Sequence, residues 1–488
     1  MLTRREWLAA SAAAAATAAP MPELCTRSAA ELAALLRAKK ASAREVLDAH
    51  LKRIEDINPK LNAIVTLVPE MAHEAAKRAD ESAAKGRFLG PLHGLPIAHK
   101  DLQDTKGIRT TYGSPIYKDN VPGRSTLAVE RVQRAGAITI GKTNVPEFGA
   151  GSHTFNPVFG PTKNPYDLSK TCGGSSGGAA VAVATRMLPF ADGSDTGGSL
   201  RNPASFCSVV GFRNSPGRVP RWPAATGWNT LSVTGAIART TDDLAMLLAA
   251  MAGPDPRVPL SIHEPGSIFA RPLPRDFSNV RVAWCPEFAG LPFAKSVLEV
   301  INGQRKTVAS MKVSLEDGKF EIARDEDESF KVFRYLNTMQ ARAADVAQHR
   351  SLIKKTILDE YDAALKMTSQ DIVAADVARS RMYARFGRFM ERYEFLLLPT
   401  TQVPPFDITT EYVTEIEGVK MENYIDWMKS CWYITLTGHP AISVPAGFTK
   451  DGLPIGLQIV GRHHDDFGVL QFAHAFEQAR GPIASPPL

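Results

Sequence analysis

Cysteine is scarce in this 488-residue chain: Cys25, Cys172, Cys207, Cys285 and Cys431 are odd in number and never spaced as C-x-x-C. That excludes a disulfide framework and a cysteine zinc site. Long apolar runs are missing too. None approaches the ~20 residues that a bilayer-spanning helix requires, which excludes a polytopic membrane protein. Net charge is thin, 57 Lys and Arg against 51 Asp and Glu, or +6 spread over the whole length, with no footprint for nucleic acid. No repeat and no Gly/Ser/Pro linker divides the chain. What is there, 44% apolar and 22% charged residues, is the balance of a folded globular protein, not of a disordered, collagenous or coiled-coil chain.

The first residues stand apart. Arg4 and Arg5 precede an Ala-rich run from Leu8 to Ala19, and Pro20 follows. A positive start, a short apolar run and a small-residue end have the form of an export signal, and the paired arginines fit the twin-arginine route. Residues 1–19 are therefore expected to be a signal and 20–488 the folded protein. It would be periplasmic or secreted if the signal is used and otherwise cytoplasmic. The alternative for this run is an Ala-rich terminal helix.

Two capping boxes, Ser28 with Glu31 and Ser42 with Glu45, open two helices, and residues 70–85 read as a third. From Leu92 onward, short apolar runs (95–98, 137–140) alternate with Gly- and Pro-rich turns and with amphipathic stretches such as 127–134, which predicts an α/β core. Residues 296–394 read as mostly helical, with Glu326, Asp327, Glu328, Lys354, Lys355 and Arg385 on solvated faces. Strands return at 395–398 and 455–460. The absence of a linker favours one large α/β domain.

Two motifs mislead. Gly136 to Thr143 matches the P-loop pattern, but its intervening residues are Ala, Ile, Thr and Ile, and Pro146 follows closely, so a strand ending in a turn fits better. Gly174-Ser175-Ser176-Gly177-Gly178 contains G-x-S-x-G around Ser176, yet the preceding residues 164–170 form a turn-rich loop and not the strand that a nucleophile elbow needs. The wider region is more informative. A first Gly-Gly-Ser turn ends at Ser175 and a second at Ser199, separated by a small-residue segment of helix length. Consecutive glycines can gather N–H groups into one concavity that suits an anionic oxygen, and a serine at its end can attack a carbonyl carbon. Such a hydroxyl needs a base. Lys100 ends an apolar strand, where burial would push its amine toward the neutral form at a cost of about 4 kcal/mol for ~3 pH units. Alternatively it snorkels to solvent or pairs with Asp101.

These segments resemble the amidase signature family. The block from Gly173 to Arg201 is similar to its signature. Pro91 to Asp101 is similar to its lysine strand, and Gly141 to Asn144, Asn164-Pro165, Gly438 to Gly447 and Gly452 to Gln458 also agree. The resemblance implies a single α/β/α domain with a central, mostly mixed sheet flanked by helices. It implies an amidase that cleaves a non-peptide carboxamide C–N bond through an acyl-enzyme, with Ser199 as nucleophile, Ser175 as a bridging serine in cis-peptide geometry and Lys100 as base. The N–H groups of Thr196, Gly197, Gly198 and Ser199 would form the oxyanion hole, with Ser176 in support. Residues 149–153 resemble a substrate-facing loop, which makes Ala150, Gly151 and Ser152 candidate substrate contacts. Neither cofactor nor metal is implied. The expected partner is a small amide, with no nucleic acid and no membrane, and a homodimer is left open.

One branch of the family is the glutamine-hydrolysing subunit of a tRNA-dependent amidotransferase. Its ammonium-gripping Asp would fall at Met428, and an export signal would also separate this chain from tRNA, so a stand-alone amide hydrolase is the first expectation and the amidotransferase role the alternative. Trp222, Trp228, Trp427, Trp432 and Tyr433 are candidates for lining an aryl or otherwise apolar pocket, or else for packing in the core. Arg213-Asn214-Ser215 departs from the family's Lys-Pro-Thr, a change expected to touch only a supporting loop. Asp195 and Arg201 are expected to orient the Ser199 loop. Cys172, Cys207 and His99 are expected to pack, and 463–466 to form a polar loop, not a metal cluster.

Overall fold

A computed structural model describes residues 22–488 of the chain; the expected signal at 1–19 lies outside the described residues. Both capping boxes form, Ser28 with Glu31 ahead of helix Ala29–Arg37 and Ser42 with Glu45 ahead of helix Ala43–Leu61. The third helix runs Pro69–Ala84, with its proline in the first turn, where no intrahelical donor is lost.

Strands β1 (Ile64–Leu67), β2 (Pro96–Lys100) and β3 (Ile138–Thr143) form a small sheet in the order β1-β3-β2. The P-loop look-alike is strand β3. It runs parallel to β2 and brings Thr143 level with Lys100. A large sheet follows, built from β4 (Phe190–Asp195), β5 (Val210–Arg213), β6 (Val233–Ala238), β7 (Arg281–Trp284), β8 (Ser314–Asp317) and β9 (Phe395–Pro399). A short hairpin, β10 (Glu415–Ile416) and β11 (Val419–Lys420), stands apart, and β12 (Ala441–Phe448) and β13 (Pro454–Gly461) complete the sheet. Its order is β4-β6-β5-β12-β13-β9-β7-β8, with β7 parallel to β8 and β9 and the remaining pairs antiparallel. The fold is thus α/β with a large mixed sheet flanked by helices.

Helix Gly177–Ala184 is buried along its whole length because its residues are small. A Cβ on Gly178 would lie 2.3 Å from the Asn144 N atom, so only glycine lets the helix approach the end of β3 this closely. The region 296–394 is helical as expected (Lys295–Gly303, Arg324–His349, Lys355–Leu365, Ser369–Arg392), apart from edge strand β8. One charge expected on a solvated face is not there. Glu326 is fully buried, 2.8 Å from Arg385 and 3.3 Å from Arg381, whose guanidinium groups compensate it.

Candidate active site

Three segments meet beneath one cavity. Strand β2 ends in Lys100, fully buried. Its Nζ lies 2.8 Å from Ser175 Oγ, 2.8 Å from Ser176 Oγ and 3.0 Å from Ser194 Oγ. Burial pushes this amine down from 10.5 to about 7, against the opposing pull of the Asp195 and Asp192 carboxylates. The alternative partner, Asp101, is turned away and accepts from the Thr111 N–H and hydroxyl. Ser175 follows a cis peptide to Gly174 and stands immediately before the buried helix. Ser199 follows β4 by a tight turn and is half-buried on the cavity wall. The Ser176 N–H donates to the Ser199 carbonyl at 3.1 Å, which ties the two serine loops together. Among the described residues the Ser199 hydroxyl makes no hydrogen bond, so it is free to turn about χ1.

The turn from Thr196 to Gly198 is held from below by Asp195. Its buried carboxylate accepts from Arg201 Nη2 at 2.9 Å, from the Gly198 N–H at 2.9 Å and from the Leu200 N–H at 3.1 Å. This corrects one expectation: the Gly198 N–H is committed to Asp195 and does not face the cavity as a free donor. The N–H groups of Thr196, Gly197 and Ser199 have no protein acceptor among the described residues. The Arg213 departure is also closer to the site than expected. Its Nη1 donates at 2.8 Å to the Asp195 carbonyl and at 2.8 Å to that of Leu231, bracing the strand that carries the turn.

The cavity, about 470 Å³, contains Ser175, Ser194 and Ser199 in its wall. Gly149, Ala150 and Gly151 line it beside Phe148, as the loop resemblance implies. Ser152 does not line it: its hydroxyl donates to the Gly174 carbonyl at 2.6 Å and accepts from Asn202 at 2.8 Å, buttressing the loop ahead of Ser175 from behind. The aromatic candidates are likewise displaced. Trp432 stacks on Phe330 in the core, Trp427 packs against Phe206 and Phe406, and Tyr433 donates to Asp327. Trp222 lies under the Arg257 guanidinium, and Trp228 is 76% exposed. None of the five lines the cavity. Burial of apolar area claimed the first three, because the alternation that makes a segment apolar says nothing about which cavity it faces.

Sequence reasoning missed the outer wall. It comes from helices Arg324–His349 and Lys355–Leu365, which contribute Arg334, Thr338, Ile357 and Glu360. Buried Glu360 accepts from Arg334 Nε at 2.5 Å and from the Thr338 hydroxyl at 2.7 Å, and it also bonds Tyr424. Ser194 was missed too, although the strand period places it two residues from Asp192 on one face of β4. His99 does not merely pack: it hydrogen-bonds Asp192. Cys172 and Cys207 are buried, and burial pushes the Cys172 thiol up to about 12, which removes any reactive thiolate. In the 463–466 loop, Asp465 caps the last helix through the Gly468 N–H and Asp466 pairs with Arg218 at 3.0 Å.

The Amidase family profile matches residues 45–470, and the chain belongs to that family. It is a hydrolase of amide C–N bonds. Two curated relatives point in different directions. The acylamidase of Rhodococcus erythropolis is 33% identical over 93% of this chain and 95% of its own. A glutamyl-tRNA(Gln) amidotransferase subunit from Geobacillus kaustophilus is 36% identical over 93% of this chain and 98% of its own. A crystal structure of a bacterial aryl acylamidase of the amidase signature family superposes with a TM-score of 0.87 at 28% identity, covering 93% of this chain and 96% of that one. No helix among the described residues is long and apolar enough to cross a membrane.

Proposed function

We propose that this chain is a stand-alone hydrolase of small carboxamides that works through an acyl-enzyme on Ser199. Neutral Lys100 takes the proton of Ser175 as Ser175 takes that of Ser199, and Ser199 Oγ bonds to the amide carbon. The N–H groups of Thr196, Gly197 and Ser199 hold the oxyanion that forms. The proton returns through Ser175 to the amide nitrogen, the C–N bond breaks and the amine leaves. Water then attacks the acyl ester by the same relay and releases a carboxylic acid and free Ser199. The observation that carries this reading is a fully buried amine, pushed to about 7, standing 2.8 Å from the bridging hydroxyl.

The stand-alone reading rests on the cavity wall. Met428, which lines it, offers a substrate ammonium no charge. The neighbouring carboxylate, Asp426, does not line this cavity: its Oδ2 accepts from the N–H groups of Glu422 and Asn423, and its Oδ1 lies 3.6 Å from Lys429 Nζ. Near Ser175 the wall is apolar: a Cβ on Gly149 would lie 2.7 Å from Leu102 and 3.4 Å from Ser175 Oγ. Leu102 with Phe148, Ile357 and Met428 suits a short acyl or aryl group. The purified chain alone is expected to hydrolyse acyl anilides and to show a mass increase equal to the acyl group on Ser199. Ser199→Ala should abolish that adduct and lower kcat by roughly 10³-fold or more. Activity confined to glutamine and dependent on added partner subunits would replace this reading with that of the amidotransferase.

A further inference from the structure

Strand β2 of the small sheet packs against β4 of the large one, yet no strand pairing joins the two sheets. A side chain makes the connection instead. Asp192 Oδ1 accepts the main-chain N–H of Lys100 at 2.8 Å, and Asp192 Oδ2 meets His99 Nδ1 at 2.5 Å. His99 Nε2 meets the Thr139 hydroxyl of β3 at 3.0 Å, and that oxygen also accepts from Gln133 at 3.0 Å. His99 and Asp192 are both fully buried. The chain closes with one proton per link: Gln133 donates to Thr139, Thr139 to His99 Nε2, and His99 Nδ1 to Asp192.

We propose that His99 and Asp192 are positioning residues for the Lys100 base, clamping the strand that carries the amine to the strand that carries Ser194 and leads into the Ser199 turn. This rests on the reading of Lys100 as base given above. Two effects follow from one carboxylate. Its hydrogen bonds fix where β2 ends relative to β4, and so where Nζ sits among three hydroxyls. Its charge favours the protonated amine, opposing burial. The other charges around Lys100 are Asp195 on β4, already matched by Arg201 and Arg213, Asp101 beside it on the chain, and Lys142 on β3, which donates to the Thr105 and Thr110 hydroxyls. Asp101 and Asp192 both lack a guanidinium partner, but Asp101 turns away to Thr111, whereas Asp192 reaches β2 itself, held by a ring nitrogen and a main-chain amide.

The test is the pH dependence of kcat/KM for a neutral acyl anilide, measured on the full chain. Asp192→Asn keeps the acceptor for the Lys100 N–H and removes the charge, so the acid limb should move down by about one pH unit. His99→Ala should lower the plateau kcat roughly tenfold with KM little changed. His99→Asn, whose amide nitrogen can replace Nδ1, should recover most of it. Lys100→Ala, run in parallel, separates the two readings: near-normal turnover there removes the base itself. If Lys100→Ala is inactive while Asp192→Asn keeps the wild-type limb and His99→Ala the wild-type plateau, the positioning role is overturned. A lowered Tm with unchanged limb and plateau also overturns it, since the pair would then serve stability alone. Should either variant fail to fold, Thr139→Val leaves the carboxylate in place and removes the hydroxyl that holds the ring, freeing the Gln133 amide as well; it should lower kcat a few-fold, and an unchanged kcat overturns the proposal.

Discussion

If Lys100 is the base, the acid limb of the reaction should report its amine and nothing else. An exposed lysine titrating at 10.5 is neutral in about one molecule in 3,000 at pH 7. Burial brings Lys100 to about 7, so about one molecule in two is neutral there, a gain of about 1,500-fold in competent base. With a non-ionising substrate such as an acyl anilide, kcat/KM should be level above about pH 8, fall through a midpoint near pH 7 and lose a factor of ten for each further unit. At pH 5 about one hundredth of the plateau should remain. Lys100→Arg should be inactive at every pH, because a guanidinium stays charged throughout. The assay is initial aniline release from pH 5 to 9.5, with Tm followed in parallel to exclude unfolding at the acid end. A flat profile between pH 5 and 9, or a midpoint above pH 9, would refute the argument that burial prepares this amine as a base.

Two further perturbations probe the Ser199 turn. At Gly198, with φ +115°, an added Cβ would lie 2.7 Å from both Asn202 and Cys431; Gly198→Ala should cost about 1–3 kcal/mol by thermal unfolding and, by displacing the neighbouring N–H donors, lower kcat by roughly 10²-fold. Asp195→Asn should cost about 3–5 kcal/mol, because it leaves Arg201 and Arg213 buried without their counter-charge. Burial alone would raise the Asp195 carboxyl, but Arg201 and Arg213 hold it well below the usual 3.8. Its contribution is present above that value and lost as pH falls below it, so the stability gap between wild type and Asp195→Asn should narrow below about pH 4. A gap that stays constant down to pH 2 would show that the Asp195 charge is not its source.

The parts legible in the sequence were those whose signal is local. Ser28 and Ser42 announce helices because the cap and its Glu lie within four residues. The position of Lys100 at the end of an apolar strand, and the two glycine turns that end at Ser175 and Ser199, were equally readable. That Lys100 reaches Ser175 across 75 positions of chain was implied by resemblance, not by spacing. What stayed hidden depended on which face meets which. Trp427 and Trp432 read equally well as pocket or core. Arg334 and Glu360 sit on helices whose charge pattern looks like any solvated surface, and only tertiary packing turns them toward the cavity. Arg213 looked remote because β5 and β4 are separated in the sheet by β6, a relation that no local pattern encodes.

The helical outer wall has a consequence for how this enzyme can change. The amine and serines stand on the sheet and its adjoining turns, whereas Arg334, Thr338, Ile357 and Glu360 belong to a separate stretch of chain, 324–365, and line the cavity from its other side. Substitutions there can reshape what fits without disturbing how the bond is broken. Selectivity is thus free to drift while the chemistry stays fixed, and an engineer seeking a new substrate would begin with those two helices and leave the glycine turns alone.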